Sequence, residues 1–409
     1  MKKEIIQKEK VTWWFQQETQ TTPVIYLDNA ATTYPKPEIL YRAMDYGNRY
    51  LAINAGRGSY YLAQIALQEI EIMRKKILQQ IHGEEAGETV VTPSATIAMN
   101  QIIGGLMLTQ KDKVYVSPFE HNAVMRTLYK EQKQKGFTIE ELPLVADTLE
   151  VDLDKTEYMF SKQPPTAVFV THVSNVTGYI LPIKEIFAIT KKITKGEGKV
   201  ILDAAQSFGI VPIDYSQTPF DAIVFAGHKS LYGPMGIGGF VKHKDFQLDS
   251  FLAGGTGSNS LNLSMPKGKD GLEPGSPNIP AILGLCASLV WIKDEGADNI
   301  FTHEQKLTEC CIRELKKIEG VKVYTPANPD NRIGVISFSM EDYNVNEVAQ
   351  ILDDEYDIAV RAGYHCAPLI HSYLKDKEYG GTIRVSFGWF NTEEEIKIFV
   401  DSIREIMEG

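Results

Sequence analysis

"ETVVTPSATIAMNQIIGGLM", residues 88 to 107, decides the fold. A short β-branched run, Thr89 to Thr92, meets a Pro-Ser break, and a helical pattern then begins at Ala95. The stretch reads as a strand, a turn and a helix start. The same pattern recurs downstream. "DKVYVSP" (112–118) is followed by "NAVMRTLYKEQKQ" (122–134), and "TAVFVTHV" (166–173) by "PIKEIFAITKKI" (182–193). "KVILDAA" (199–205) and "FDAIVFAG" (220–227) add two further strands. This alternation predicts an α/β fold whose mostly parallel sheet is covered by helices on both faces. In such open sheets the ligand lies beyond the carboxyl ends of the strands, so the residues just after each strand are the candidate site.

Composition narrows the functional classes. A chain of 409 residues can bury a large core and suggests two or three lobes. Apolar content of 43% and charged content of 23% are ordinary for a globular protein. The net charge of −11, with no clustered basic face, argues against nucleic acid as a partner. The first twenty residues have no apolar core like that of a signal peptide, and no apolar run approaches the ~20 residues of a membrane helix. A cytoplasmic protein is expected. Cys286, Cys310, Cys311 and Cys366 do not form a disulfide framework. Cys310 and Cys311 sit in a stretch of helical periodicity after His303, at a spacing that fits no common zinc pattern.

Residues 254 to 278 hold six glycines and little that is apolar, which marks a functional or mobile segment. A helix is predicted from roughly Pro280 to Lys293. Beyond it the text changes to "RIGVISFSM", a helix at "NVNEVAQILDDEY", then "IAVRAG", "TIRVSFGWF" and a final helix. Thr392 and Glu395 form a capping-box pattern that opens that last helix. The C-terminal part is therefore expected to be a smaller α+β lobe.

Asp203 ends one predicted strand, and Lys229 follows the next, 26 residues later. A lysine beyond a buried strand can lose its charge by desolvation and become a nucleophilic amine. Pyridoxal phosphate needs such a pair, a lysine for its aldehyde and a carboxylate for its ring nitrogen. It also needs an anion site, which the helix start at Ala95 and Thr96, with His228 beside Lys229, can supply. His121, a few residues past another strand, offers a flat face for the ring. Gln206 is placed to reach the 3′-oxygen, and Asn175 sits in a further post-strand loop. Cys366, in "RAGYHCAP" (361–368), reads on its own either as a small apolar filler or as a nucleophile.

Together "YLDNAATTYPKP", "HVSNVTG", "LDAAQS", "GHKSLYGPMGIGG", "RAGYHCAP" and "TIRVSFGWFNT" resemble the class V aminotransferase family of pyridoxal-phosphate enzymes, and within it the cysteine desulfurases. The resemblance runs from about Tyr26 to the C-terminus. It implies a fold type I architecture, with a seven-stranded-type sheet in a large domain (24–285) and a small domain made of 1–23 and 286–409. It implies Lys229 as the Schiff-base lysine, Asp203 on the pyridine nitrogen, Gln206 on the 3′-oxygen and His121 stacked on the ring. Ala95, Thr96 and His228 would hold the phosphate, with Ser276 reaching the neighbouring subunit's phosphate in a homodimer. Arg384, Asn175, Ala30 and Arg361 would bind the substrate, L-cysteine or L-selenocysteine. Cys366 would carry the persulfide, with His365 or Arg361 favouring its anion, and pass sulfur to a small acceptor protein. Cys366 and Arg384 are only 18 positions apart, which predicts a thiol confined near the pocket, as in the SUF-type branch.

Two departures from the family stand out. Ala226 occupies the position where many members carry Ser or Thr, two residues before the His of "GHK". "HKSLYGP" is one residue longer than the common "HKLYGP", and "TWWFQQ" near the N-terminus has no clear counterpart. A selenocysteine lyase, another class V enzyme and a catalytically silent cofactor-binding scaffold remain alternatives.

Overall fold

The computed structural model describes residues 24–55, 60–257 and 261–408, so the expectations for residues 1–23 lie outside the described residues. After β1 (Ile25–Tyr26), seven strands build one sheet: β2 (Gly87–Thr92), β3 (Lys113–Val116), β4 (Thr138–Glu141), β5 (Ala167–Thr171), β6 (Lys199–Asp203), β7 (Ala222–Ala226) and β8 (Gly238–His243). Their spatial order is β2-β8-β7-β6-β5-β3-β4. The pairings from β4 through β3, β5 and β6 to β7 are parallel, while β8 runs antiparallel to both β7 and β2. The strand–helix alternation did not announce β8. It follows β7 through a short loop with no crossover helix, and so short a link between neighbours permits only the antiparallel arrangement.

The central strands β5, "AVFVT", and β7, "AIVFA", are buried at every position. Continuous apolar runs of this kind suit strands covered on both faces. Alternate residues of β7 show it: Phe225 joins a core with Met73, Tyr115, Phe208 and Leu285, while Val224 joins one with Ile102, Phe169 and Phe240 on the other face. The predicted helix after residue 280 is observed as Ile279–Glu295, which contains Leu285. Cys310 and Cys311 both lie on the next helix, Ala297–Leu315, where Cys311 is buried.

The C-terminal part forms a second sheet from β9 (Val321–Tyr324), β10 (Val335–Met340), β12 (Arg361–Gly363) and β13 (Thr382–Ser386), in the order β12-β13-β10-β9 and all antiparallel. β11 (Ile358–Ala359) pairs in parallel with β1, which ties the start of the described chain to this lobe. The lobe has its own core, including Leu307, Ile336, Phe338, Val385 and Phe399. Its last helix, Glu393–Glu408, opens on the predicted capping box: the Glu395 N–H donates to Thr392 Oγ1 at 3.3 Å and the Thr392 N–H to Glu395 Oε2 at 2.8 Å. Among the described residues no helix is long and apolar enough to cross a membrane.

Candidate active site

The carboxyl ends of β6 and β7 lie side by side, with Asp203 opposite Val224. The chain leaves β7 at Ala226 and turns at Gly227, whose N–H bonds to Ile237 O at 3.0 Å; the Gly233 N–H returns to Gly227 O at 2.7 Å. A Cβ on Gly227 would stand 2.8 Å from Ile237 O, so only glycine closes this turn. Between these anchors lie His228 and Lys229. The His228 carbonyl accepts from the Thr33 N–H at 3.1 Å, Thr32 Oγ1 at 3.0 Å and Lys36 Nζ at 2.7 Å. The lysine turn is thus pinned from outside.

A cavity of about 250 Å³ opens over these strand ends. It is lined by Lys229, Asp203, Gln206, His121, Ala95, Thr96, His228, Asn175, Ala30, Arg361, Arg384 and Cys366, together with Ala226. Every site residue expected from the sequence converges there except Ser276. Ser276 is exposed and lines a separate cavity of about 500 Å³ beside Thr92 and Pro93.

Burial governs the charges. It lowers the Lys229 ammonium to about 8, against the pull of Asp203 and helped by Arg384 and Arg361. The Asp203 carboxyl is raised by burial, opposed by the Ala205 N–H that its Oδ1 accepts at 3.0 Å and by Lys229. Burial lowers His121 to about 3 and His228 to about 4, so both imidazoles are neutral at physiological pH. His121 Nδ1 accepts the Ala123 N–H at 3.0 Å and so caps the helix Asn122–Lys135. That fixes the ring at the helix entrance.

The anion site follows from another helix start. Ser94 Oγ caps the helix Ala95–Gly105 by accepting the Ile97 N–H at 3.3 Å. This leaves the Ala95 and Thr96 N–H groups of the first turn to face an anion. A Cβ on Gly238 would lie 2.9 Å from Ala95 N, so the glycine of β8 makes room for that turn. His228 Nδ1 is buried without a partner, as an incoming acceptor would require.

Arg384 projects from β13 with its side chain buried. Its Nη2 donates to Asp28 Oδ1 at 2.6 Å and its Nη1 to Asn175 O at 3.1 Å. Nε–H is buried without a partner. Asp28 carries no sequence signal for this role. It stands in the quoted "YLDNAATTYPKP", but only the bridge that sets it beside Ser386 brings it to Arg384, and no local spacing encodes that.

Cys366 is exposed at the cavity, and neither it nor His365 has an ordinary backbone, with φ of 58° and 44°. Of the two residues expected to favour the thiolate, His365 or Arg361, the structure speaks against His365. Its Nε2 faces Thr382 Oγ1 at 2.9 Å and Thr382 O at 3.0 Å, and burial, with Arg384 close by, holds its pKa well below the usual value. A neutral ring engaged with Thr382 contributes no charge, which leaves Arg361, on β12, as the other cation proposed for the thiolate, and it lines the cavity with Cys366.

The unpartnered His228 Nδ1 and Arg384 Nε, the free helix N-terminus and the Lys229–Asp203 pair fit pyridoxal phosphate together with an amino-acid carboxylate. The class-V aminotransferase profile matches residues 25–399. A probable cysteine desulfurase of Pyrococcus abyssi is 34% identical over 400 residues, covering 95% of this chain and 96% of its own. A cysteine desulfurase of Escherichia coli O157:H7 is 30% identical over 401 residues, covering 95% of each. The solved apo structure of a cysteine desulfurase from Thermococcus onnurineus superposes with a TM-score of 0.85 at 30% identity, over 94% of this chain and 95% of that one. With the profile spanning nearly all the described residues, the chain belongs to the class-V aminotransferase family, a family of pyridoxal-phosphate enzymes.

Proposed function

We propose that the protein is a cysteine desulfurase that converts L-cysteine to L-alanine and keeps the sulfur on Cys366. One observation carries the reading: the thiol of Cys366 shares a single cavity with Lys229, Asp203 and Arg384. Pyridoxal phosphate, when bound, supplies an aldehyde for the Lys229 amine and a ring that takes up the electrons released at the substrate Cα. Ala95, Thr96 and His228 hold its phosphate, Asp203 its ring nitrogen, Gln206 its 3′-oxygen and His121 one face of the ring. Arg384 orients the substrate carboxylate through its free Nε–H edge, with Asn175, Ala30 and Arg361 around the substrate. Lys229, lowered toward neutrality by burial, is the base that takes the Cα proton. The Cys366 thiolate then attacks the substrate sulfur, an S–S bond replaces the substrate C–S bond, and the alanine carbon left behind receives a proton.

The working unit in this reading is a homodimer, in which Ser276 of the partner subunit supplies the hydroxyl that Ala226 lacks. The exposed position of Ser276, outside its own chain's Lys229 cavity, supports a contact in trans. The acceptor is a small protein that brings its own thiol to the cavity, because the residues after Cys366 are not free to swing. Ala367, Ile370 and Leu374 are buried in the core of the large sheet, and Tyr373 Oη donates to Glu141 Oε2 at 2.9 Å.

The test is alanine release from L-cysteine and from L-selenocysteine by the wild type and by Cys366→Ser. Desulfuration by the wild type that collapses in C366S, with the cofactor's visible absorbance retained, supports the reading. Wild-type desulfuration by C366S contradicts it, and strong preference for selenocysteine with full activity in C366S would instead indicate a lyase.

A further inference from the structure

The loop that carries the thiol has three consecutive backbone carbonyls, and each is held by a donor from a different element. Cys366 O accepts the Asn122 N–H at 2.7 Å, from the helix that His121 caps. His365 O accepts Asn175 Nδ2 at 2.7 Å, from the loop beyond β5. Tyr364 O closes the turn on the Ala367 N–H at 3.0 Å and also faces His371 Nε2 at 3.0 Å. The last donor has support of its own. His371 Nδ1 lies 2.5 Å from Asp376 Oδ2, and the two side chains are only 3% and 0% exposed.

The hydrogen-bond chemistry fixes the protons. A carbonyl oxygen only accepts, so the Nε2 that faces Tyr364 O carries hydrogen. A contact of 2.5 Å between a ring nitrogen and a carboxyl oxygen requires a proton between them. Asp376 therefore sets the imidazole with its Nε2–H aimed at the thiol loop. A ring edge also braces the loop: the Tyr364 and His371 rings meet at 84° with centroids 5.0 Å apart. Asp376 is anchored in turn, because its own carbonyl accepts the N–H groups of Tyr379 and Gly381 on the way back into β13.

Burying an ionisable pair carries a desolvation cost, so what the pair fixes is informative. What it reaches here is a strained turn. His365 and Cys366 both sit in the left-handed region, a conformation that is unfavourable for non-glycine residues and persists only when its surroundings over-determine it. Without the His371 bond, one of the restraints on that turn is lost.

We propose that His371 and Asp376 form a positioning dyad that holds the Tyr364–Cys366 turn in its left-handed conformation, so that the Cys366 sulfur faces the cavity. The dyad rests on Cys366 being the sulfur-accepting thiol, but neither member touches substrate or cofactor.

The test compares wild type with His371→Phe, which keeps a ring but no donor, and His371→Gln, whose amide restores an N–H near the Nε2 position. Both variants leave Asp376 without its imidazole; only the glutamine can donate to Tyr364 O, and it does so without the ring contact that the phenylalanine keeps, so recovery in H371Q points to the bond rather than to the ring. In H371F the kcat for alanine formation falls by about tenfold to a hundredfold, the range expected when a reacting group is misplaced by a fraction of an ångström to an ångström. KM for L-cysteine and the cofactor absorbance are unchanged. H371Q recovers to within about threefold of wild type, the size of one modest hydrogen bond. In the resting protein, iodoacetamide alkylates Cys366 of H371F at least as fast as wild type, because the thiol has lost its place but not its exposure. H371L replaces H371F if the latter does not fold. A donor-free variant with wild-type kcat overturns the dyad, as does an equal loss in H371F and H371Q. Wild-type kcat in H371F beside an inactive C366S removes only the dyad, whereas an active C366S removes the reading of the thiol and the dyad with it.

Discussion

Replacing Arg384 by lysine separates the two things that the guanidinium provides, charge and a fork. Arginine has five N–H donors in a rigid plane, whereas lysine presents three on a single nitrogen. In the structure two of the five are committed, one to Asp28 Oδ1 at 2.6 Å and one to Asn175 O at 3.1 Å. Nε–H is buried and unpartnered, and with a second Nη hydrogen it forms the edge that a substrate carboxylate can take bidentately. R384K keeps the positive charge beside Asp28 but cannot serve Asp28, Asn175 O and both carboxylate oxygens at once. Losing one charge-assisted hydrogen bond costs about 1.5–3 kcal/mol, which lowers kcat/KM for L-cysteine by about tenfold to 150-fold. R384A loses both bonds and leaves Asp28 without its cation, so its loss is larger. The assay is alanine formation against L-cysteine concentration for the three proteins, with visible absorbance recorded on each. The loss should appear mainly in KM, with cofactor content unchanged. A KM for R384K within twofold of wild type, or loss of cofactor with KM intact, would refute the assignment of this edge to the substrate.

Three further outcomes follow from the same geometry. Lys229→Ala yields a protein whose visible absorbance is no longer fixed by borohydride, because Lys229 is the lysine lining the cavity; a reducible, cofactor-linked K229A would refute that role. Lys229 titrates at about 8 in the folded protein against about 10.5 unfolded, so between those values the unfolded chain holds the extra proton and the cofactor-free protein gains stability as pH rises. Lys229→Gln removes the buried charge and should therefore stabilise the cofactor-free protein at pH 7 by about 3 kcal/mol, with the gain fading toward pH 10.5 in thermal melts; a constant or growing gain would contradict the buried ammonium. Gly227→Ala places a methyl 2.8 Å from Ile237 O and should cost about 1–3 kcal/mol of stability together with cofactor affinity, whereas a neutral effect would mean that the lysine turn is looser than described.

Much of the large sheet was legible because its signals are local. A buried parallel strand is a short run such as "AIVFA", the helix after it has its own period, and the residues that end the strands must face a ligand. Asp203 and Lys229 could be paired from sequence for that reason. What was illegible depends on registers between distant segments. β8 carries no helix to announce its direction. Asp28 meets Arg384 only because the chain beside β1 runs next to β13, and the His371–Asp376 pair is invisible until the interval after Cys366 folds back under its own loop. The choice between His365 and Arg361 as the thiolate's partner is illegible in sequence for a related reason. Adjacency in sequence suggests help for the thiol, but the ring at the left-handed turn engages Thr382.

Following the sulfur atom tests the role of Cys366 most directly. The purified, cofactor-loaded enzyme is given L-cysteine without reductant or acceptor, quenched by alkylation, digested and read by mass spectrometry. If Cys366 accepts the sulfur, the peptide containing it gains one sulfur atom, a reductant removes it, and alanine forms in equal amount. Alanine formed with no added sulfur on that peptide, or with sulfur on the peptides of Cys286, Cys310 or Cys311 instead, would contradict the assignment of Cys366.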